Sequence, residues 1–208
     1  MKSKIGISCM LIGFILISSA IFLFLSNQSE EKAAETHAQK VIPILMEEAK
    51  QSQAFLETES ELLDNTPVEL LTAEDLIMKE TIIDGHAYIG YLNIPDLDLT
   101  LPVMSEWSYT KLNISPCRFS GSLRGENMVI LAHNYTSHFG NLKNVTEGSH
   151  IIFTDMNGEI WEYEVVALDI LPADAVEEMT SGEYALTLFT CATNRTHRVT
   201  IRCNKFES

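Results

Sequence analysis

The stretch LTLFTCATNRTHRVTIRC, residues 186–203, places two thiols and three guanidinium groups within one predicted β-hairpin. Side chains alternate along a strand, so Leu186, Leu188 and Thr190 share one face, and Thr187, Phe189 and Cys191 share the other. On the return strand Val199, Ile201 and Cys203 share a face, opposite Arg198 and Arg202. With the aliphatic sets turned to a core, Cys191 and Arg198 emerge on the same outer surface. A turn centred between Asn194 and Arg195 then sets Cys191 directly across from Arg198, because each step away from the turn on one strand is matched by one on the other. Asn-Arg is a poor tight-turn pair, which favours a four-residue loop over 193–196; an odd-numbered loop breaks the pairing. A cation beside a thiol favours thiolate, and its N–H groups can hold the oxyanion formed when sulfur attacks a carbonyl.

Such chemistry needs a proton carrier, and the chain has six histidines. His133 ends the apolar run MVILA and enters the polar loop HNYTSHFGN, where a rigid strand can present it. His138, in the same loop, is its main rival. His197 alternates with Arg198 and faces the other way, while His37, His86 and His150 read as structural or solvated. Among the arginines, Arg195 and Arg202 compete with Arg198.

The rest of the chain bounds where this chemistry takes place. At 208 residues there is room for about one domain, and 14 basic against 29 acidic side chains offer nothing to a nucleic-acid backbone. Residues 5–25, IGISCMLIGFILISSAIFLFL, carry no charge, and at ~1.5 Å per residue they span the hydrocarbon of a bilayer. Lys2 and Lys4 precede this run while Glu30 and Glu31 follow it, so the positive-inside rule leaves residues 1–4 in the cytoplasm and exports the remainder. Cleavage as a signal peptide near Ser18-Ser19-Ala20 is the competing reading, but the apolar run continues through Phe22–Leu25. Cys9 belongs to the span, leaving Cys117, Cys191 and Cys203 outside, an odd number that cannot all pair internally.

Residues 26–80 form an extracytoplasmic stalk followed by a short helix. Leu45, Ala49, Leu56 and Leu62 are too sparse for a strong core face, so the stalk is predicted as a helix broken near Pro43, with the short helix starting at Thr72. From Tyr88 onward the period changes. YIGYLNI, LTLPV, MVILA, SHIIFT, EIWEYEVV, ALTLFT and HRVTIR alternate at period two and are separated by turn signals such as Pro95-Asp96, Glu147-Gly148 and Met156-Asn157-Gly158. The fold class is all-β, closed or sandwiched, over residues 81–208.

LAHNYTSHFGNL, LTLFTC and THRVTIR resemble the His, TLxTC and Arg elements of sortases, the membrane-anchored cysteine transpeptidases of bacterial surfaces. YIGYLNIPDLDLTLPV resembles the opening strands of the sortase barrel and SPCRFSGSLRGENMVILAH the approach to its His, so the resemblance covers about residues 88–203. It implies a closed β-barrel with short helices. It also implies that Cys191 is the nucleophile, His133 the general acid/base and Arg198 the substrate and oxyanion binder, with Thr190 contributing to peptide recognition or oxyanion support. The implied substrate is an LPxTG-like sorting peptide of a surface protein, and the implied acceptor an amine of a cell-wall precursor or a pilin. Some sortases bind calcium through an acidic loop, but the corresponding CRFSGSLRGEN has only Glu126, so no metal or other cofactor is expected. Cys117 and Cys203 are candidates for a disulfide that sequence separation cannot decide, and no lid precedes the barrel unless the stalk folds back. The alternatives are a surface thiol peptidase with water as acceptor, and a non-enzymatic anchored β-domain in which Cys191 pairs with Cys203.

Overall fold

Each of the seven alternating segments forms a strand in the computed structural model, which describes residues 2–62, 78–181, 183–192 and 196–206. The helix start at Thr72 and the tip of the last hairpin lie outside the described residues. The strands are β1 (Thr81–Ile83), β2 (His86–Ile94), β3 (Leu99–Met104), β4 (Cys117–Ser120), β5 (Met128–Leu131), β6 (His150–Asp155), β7 (Ile160–Pro172), β8 (Leu186–Cys191) and β9 (His197–Lys205). They follow the order β1-β2-β3-β4-β5-β8-β9-β7-β6, and β6 pairs back onto β2, closing an eight-stranded barrel with β1 as an appendage. Strands β1 and β4 escape the sequence pattern because three or four residues are too few to establish a period. Partners define them instead, as when Cys117 and Arg118 pair with Leu131 and Ile130.

Closure buries one face of every barrel strand. Leu92, Val103, Ile130, Phe153, Leu188 and Ile201 meet in the interior at or near zero exposure. Each such side chain contributes roughly 1.5–3 kcal/mol by leaving water. Two short helices, α2 (Tyr109–Leu112) and α3 (Val176–Met179), lie in the connections.

The amino-terminal helix departs from expectation. α1 runs without interruption from Lys2 to Leu62, through Pro43, and from Cys9 it contains a segment long and apolar enough to cross a membrane. The predicted break at Pro43 is absent, and the stalk is not free. Ala34, Ala38, Val41, Leu45 and Ala49 recur at the helical period and are all buried, with Val41 and Leu45 packed against Tyr88 and Met104 of the barrel wall. Burial on both sides of Pro43 offsets the hydrogen bond that proline removes. Three of the five stripe residues are alanines, whose small side chains gave little hydrophobic signal in an acidic sequence. Gly158 marks how closely the helix approaches: a Cβ there would lie 2.5 Å from the Ala49 carbonyl oxygen.

All four cysteines are free, so the suggested Cys117–Cys203 bond is not formed. Cys203 faces the barrel interior, whereas Cys117 belongs to the separate cluster beneath α1. Burial pushes the Cys117 thiol up to about 12 and the Cys203 thiol higher still, which leaves both protonated and inert.

Candidate active site

Strand β8 stands between β5 and β9 in the barrel wall, and each of the three carries one predicted residue toward the same end. The β8–β9 register pairs Cys191 with Arg198, Phe189 with Thr200 and Thr187 with Arg202. Leu186, Leu188, Val199, Ile201 and Cys203 point into the core, so Cys191 and Arg198 lie on the outer face, both half-buried. The alternative Cys191–Cys203 disulfide fails on the same geometry. Cys203 is inward and pairs with Leu186, five residues from Cys191, or ~17 Å along the strand.

Strand β5 runs parallel to β8 from the Met128/Leu186 pair to the Leu131/Phe189 pair. The alignment persists past the end of β5. The Ala132 N–H donates to the Phe189 carbonyl at 3.3 Å, and the Thr190 hydroxyl donates to the Ala132 carbonyl at 2.8 Å. Extending this register one residue brings His133 to the level of Cys191, one interstrand spacing away (~4.8 Å between backbones). Thr190 is thus turned inward and buried, with its hydroxyl engaged by the residue that leads into His133.

The His133 imidazole meets Asn113, the residue that ends α2, with Nε2 2.9 Å from Oδ1. An amide oxygen only accepts, so Nε2 donates in this contact. The Tyr135 ring packs against the imidazole with centroids 4.9 Å apart. Neither Asn113 nor Tyr135 was singled out in the sequence. Asn113 is twenty residues upstream of His133 in a turn with no pattern linking the two.

The rivals occupy different environments. His138 is fully buried, and neither ring nitrogen has a hydrogen-bond partner among the described residues. Burial, reinforced by the nearby His133, holds its pKa down to about 4. It is neutral and sealed from solvent, unsuited to carry protons to a substrate. Arg202 is only 4% exposed. Its guanidinium donates to the carbonyls of Glu178 at 2.6 Å and Met179 at 3.0 Å, and to Asp169 Oδ2 at 3.2 Å. It binds the end of α3 to the barrel. Arg195 lies outside the described residues. His37, expected to be structural or solvated, contacts the Tyr88 hydroxyl at 2.6 Å between α1 and β2.

An apolar path reaches the site along the outer face. Trp107 stacks on Phe119 at 5.5 Å, and Phe119 meets Phe189 edge-on at 5.6 Å, two residues from Cys191. Among the described residues no three His, Cys, Asp or Glu side chains converge as metal ligands.

Comparison with known proteins places this arrangement. A sequence model of the Sortase domain matches residues 92–206. The crystal structure of sortase C1 from Streptococcus suis aligns at 27% identity with a TM-score of 0.53, covering 59% of this chain and 75% of that one. Sortase C of Streptococcus pneumoniae aligns at 21% identity with a TM-score of 0.55, covering 81% and 97%. A lid mutant of Corynebacterium diphtheriae sortase A aligns at 18% identity with a TM-score of 0.51, covering 82% and 96%. No curated protein sequence matches. The family match and the shared fold support a transpeptidase-type function in general terms. With the barrel closed in this strand order and more than half of the sequence matched by the domain model, the chain belongs to the sortase family.

Proposed function

We propose that this protein is a single-pass membrane cysteine transpeptidase with residues 1–4 in the cytoplasm, 5–25 in the bilayer and the barrel of residues 81–208 outside. Cys191 is the nucleophile, His133 the general acid/base and Arg198 the group that binds the substrate carbonyl and its oxyanion. The observation that carries the reading is the register that sets Cys191 across from Arg198 while β5 delivers His133 along the other side of β8.

The Cys191 sulfur, as thiolate, attacks a backbone carbonyl carbon of an LPxTG-like sorting peptide, and the guanidinium of Arg198 holds the resulting oxyanion. The C–N bond breaks as protonated His133 delivers a proton to the departing amine, leaving a thioester on Cys191. An incoming amine of a cell-wall precursor or a pilin loses a proton to His133 and attacks the thioester carbon. The new amide forms as the sulfur leaves as thiolate. Thr190 supports this cycle by tying the chain ahead of His133 to β8, and the exposed Trp107, stacked on Phe119, offers a wall for the apolar residues of the peptide.

The test incubates the full chain in detergent with a library of sorting peptides and follows the intact mass. A thioester adduct mapped to Cys191 that is discharged as an amide by added amine is expected. Loss of the adduct only to water overturns the transpeptidase assignment, and an adduct that persists in Cys191→Ala overturns the nucleophile.

A further inference from the structure

The loop that carries His133 is held from outside the barrel by the first turns of α1 beyond its apolar segment. Glu31 Oε1 accepts from the backbone N–H of Thr136 at 2.7 Å and from that of Ser137 at 3.3 Å. The Ser137 hydroxyl donates to the Glu31 carbonyl at 3.5 Å, and the Tyr135 hydroxyl donates to Glu30 Oε2 at 3.3 Å. A carboxylate that takes two successive backbone N–H groups fixes both peptide planes, and charge-assisted bonds of this kind are about twice as strong as neutral ones. Glu31 is half-buried, and one turn further on Ala34 is buried against the barrel, so the carboxylate is delivered by a docked helix.

The loop transmits this constraint because it is closed on itself. The Phe139 N–H donates to the His133 carbonyl at 3.1 Å, while the His138 and Gly140 N–H groups both donate to the Tyr135 carbonyl, at 3.0 and 2.8 Å. Gly140 allows that closure: a Cβ there would lie 2.7 Å from the carbonyl oxygens of Asn134 and Tyr135. Tyr135 is the connecting piece, with its hydroxyl on Glu30 and its ring against the His133 imidazole.

The geometry points to Glu31 as a positioning residue for the reaction, an acceptor on the anchor helix that sets the His133 loop and, through Tyr135, the place of the imidazole beside Cys191. This inference rests on the role of His133 proposed above. It makes the membrane-proximal turn of α1 a working part of the catalytic unit.

The test uses the full chain in detergent, with kcat and KM for a sorting peptide, the pH profile of Cys191 alkylation by iodoacetamide, and hydrogen exchange of the 136 and 137 amides. Glu31→Ala is expected to lower kcat about tenfold with KM within about twofold, to displace the alkylation profile and to expose both amides to exchange. Glu31→Gln keeps the accepting oxygen and is expected to recover most of the rate. Glu31→Lys aims a donor at two donors and is expected to be worse than alanine. Lys40→Ala breaks the ion pair of α1 with Asp84 at a distance from the loop and is expected to leave kcat and the alkylation profile unchanged. Wild-type kcat and alkylation profile in Glu31→Ala or Glu31→Lys overturn the inference, as does an equal loss in Lys40→Ala. His133→Ala separates the two claims. If it is inactive while Glu31→Ala is not impaired, only the positioning role fails; if it retains full turnover, the role of His133 fails first.

Discussion

The outer face of the β8–β9 hairpin carries two cross-strand pairs built alike, each an arginine on β9 opposite a small polar or sulfur side chain on β8. Near the closed end Thr187 faces Arg202, and near the tip Cys191 faces Arg198. The first pair is covered. α3 sets the carbonyls of Glu178 and Met179 onto Arg202, and Tyr184 lies over the guanidinium at 5.2 Å. The second pair keeps part of its surface in solvent, Cys191 and Arg198 both being half-buried. The same residue type on the same strand is therefore a buried bolt at one end and a half-exposed cation at the other, and the second is the one proposed above to meet substrate.

The sharpest way to break this contrast is at the sulfur. Cys191→Ala is expected to abolish the thioester adduct and to cut turnover by at least about a thousandfold, because no other described thiol is both free and accessible outside α1. Intact-mass analysis after incubation with peptide measures it, and adduct formation at Cys117 or Cys203 would show that the buried thiols are not inert.

The arginine pair should then separate cleanly. Arg198→Ala is expected to lower kcat on the order of a hundredfold with little change in melting temperature, since its loss removes the proposed oxyanion donor from a half-exposed position. Arg202→Ala should do the reverse, costing about 2–4 kcal/mol of stability by orphaning two carbonyls and Asp169 while the folded fraction keeps its kcat. Thermal melts and steady-state kinetics on both variants check the prediction, and an Arg202→Ala protein that is stable but inactive would reverse the assignment.

How much of this contrast was legible in the sequence follows from the range of the forces involved. Alternation in LTLFTC and HRVTIR is local, so the inward set, the outward set and the Cys191–Arg198 pairing could all be worked out from the residues. Nothing in the spacing said that Arg202 would be roofed over, because α3 is four residues long and reaches it from a different connection. The same limit explains α1. Its buried stripe of Ala34, Ala38, Val41, Leu45 and Ala49 has the right period, but alanine is equally at home in a solvated helix, and only the barrel wall shows which face is covered. Glu30, Glu31 and Asn113 reach the His133 loop across 20 to 106 residues of chain, with no motif to announce them.

The two histidines of one loop extend the contrast to pH. Burial holds His138 at about 4 in the folded protein, against an ordinary value of 6.5 that the unfolded chain regains. Between these values the unfolded state binds a proton that the folded state refuses, so stability is fully present above about pH 6.5 and falls as the pH drops toward 4. The expected loss is on the order of 3 kcal/mol. Melting temperature measured from pH 7 to 4 checks the sign, and His138→Gln should flatten this part of the dependence while leaving the kcat profile near neutrality in place.

The smallest effect expected is at Asn113, where the open end of the face receives its contact from α2. Its amide oxygen accepts from His133 Nε2 at an exposed position, and a single hydrogen bond there contributes ~0.5–1.5 kcal/mol net. Asn113→Ala should accordingly lower kcat by about two- to tenfold, far less than loss of the imidazole itself, with KM for the peptide unchanged. Asn113→Asp keeps an acceptor oxygen but adds a charge that favours the imidazolium, so its kcat profile should move to higher pH. If Asn113→Ala and Asn113→Asp were both indistinguishable from the parent across the profile, the imidazole would owe its placement to the Tyr135 side of the loop and not to α2.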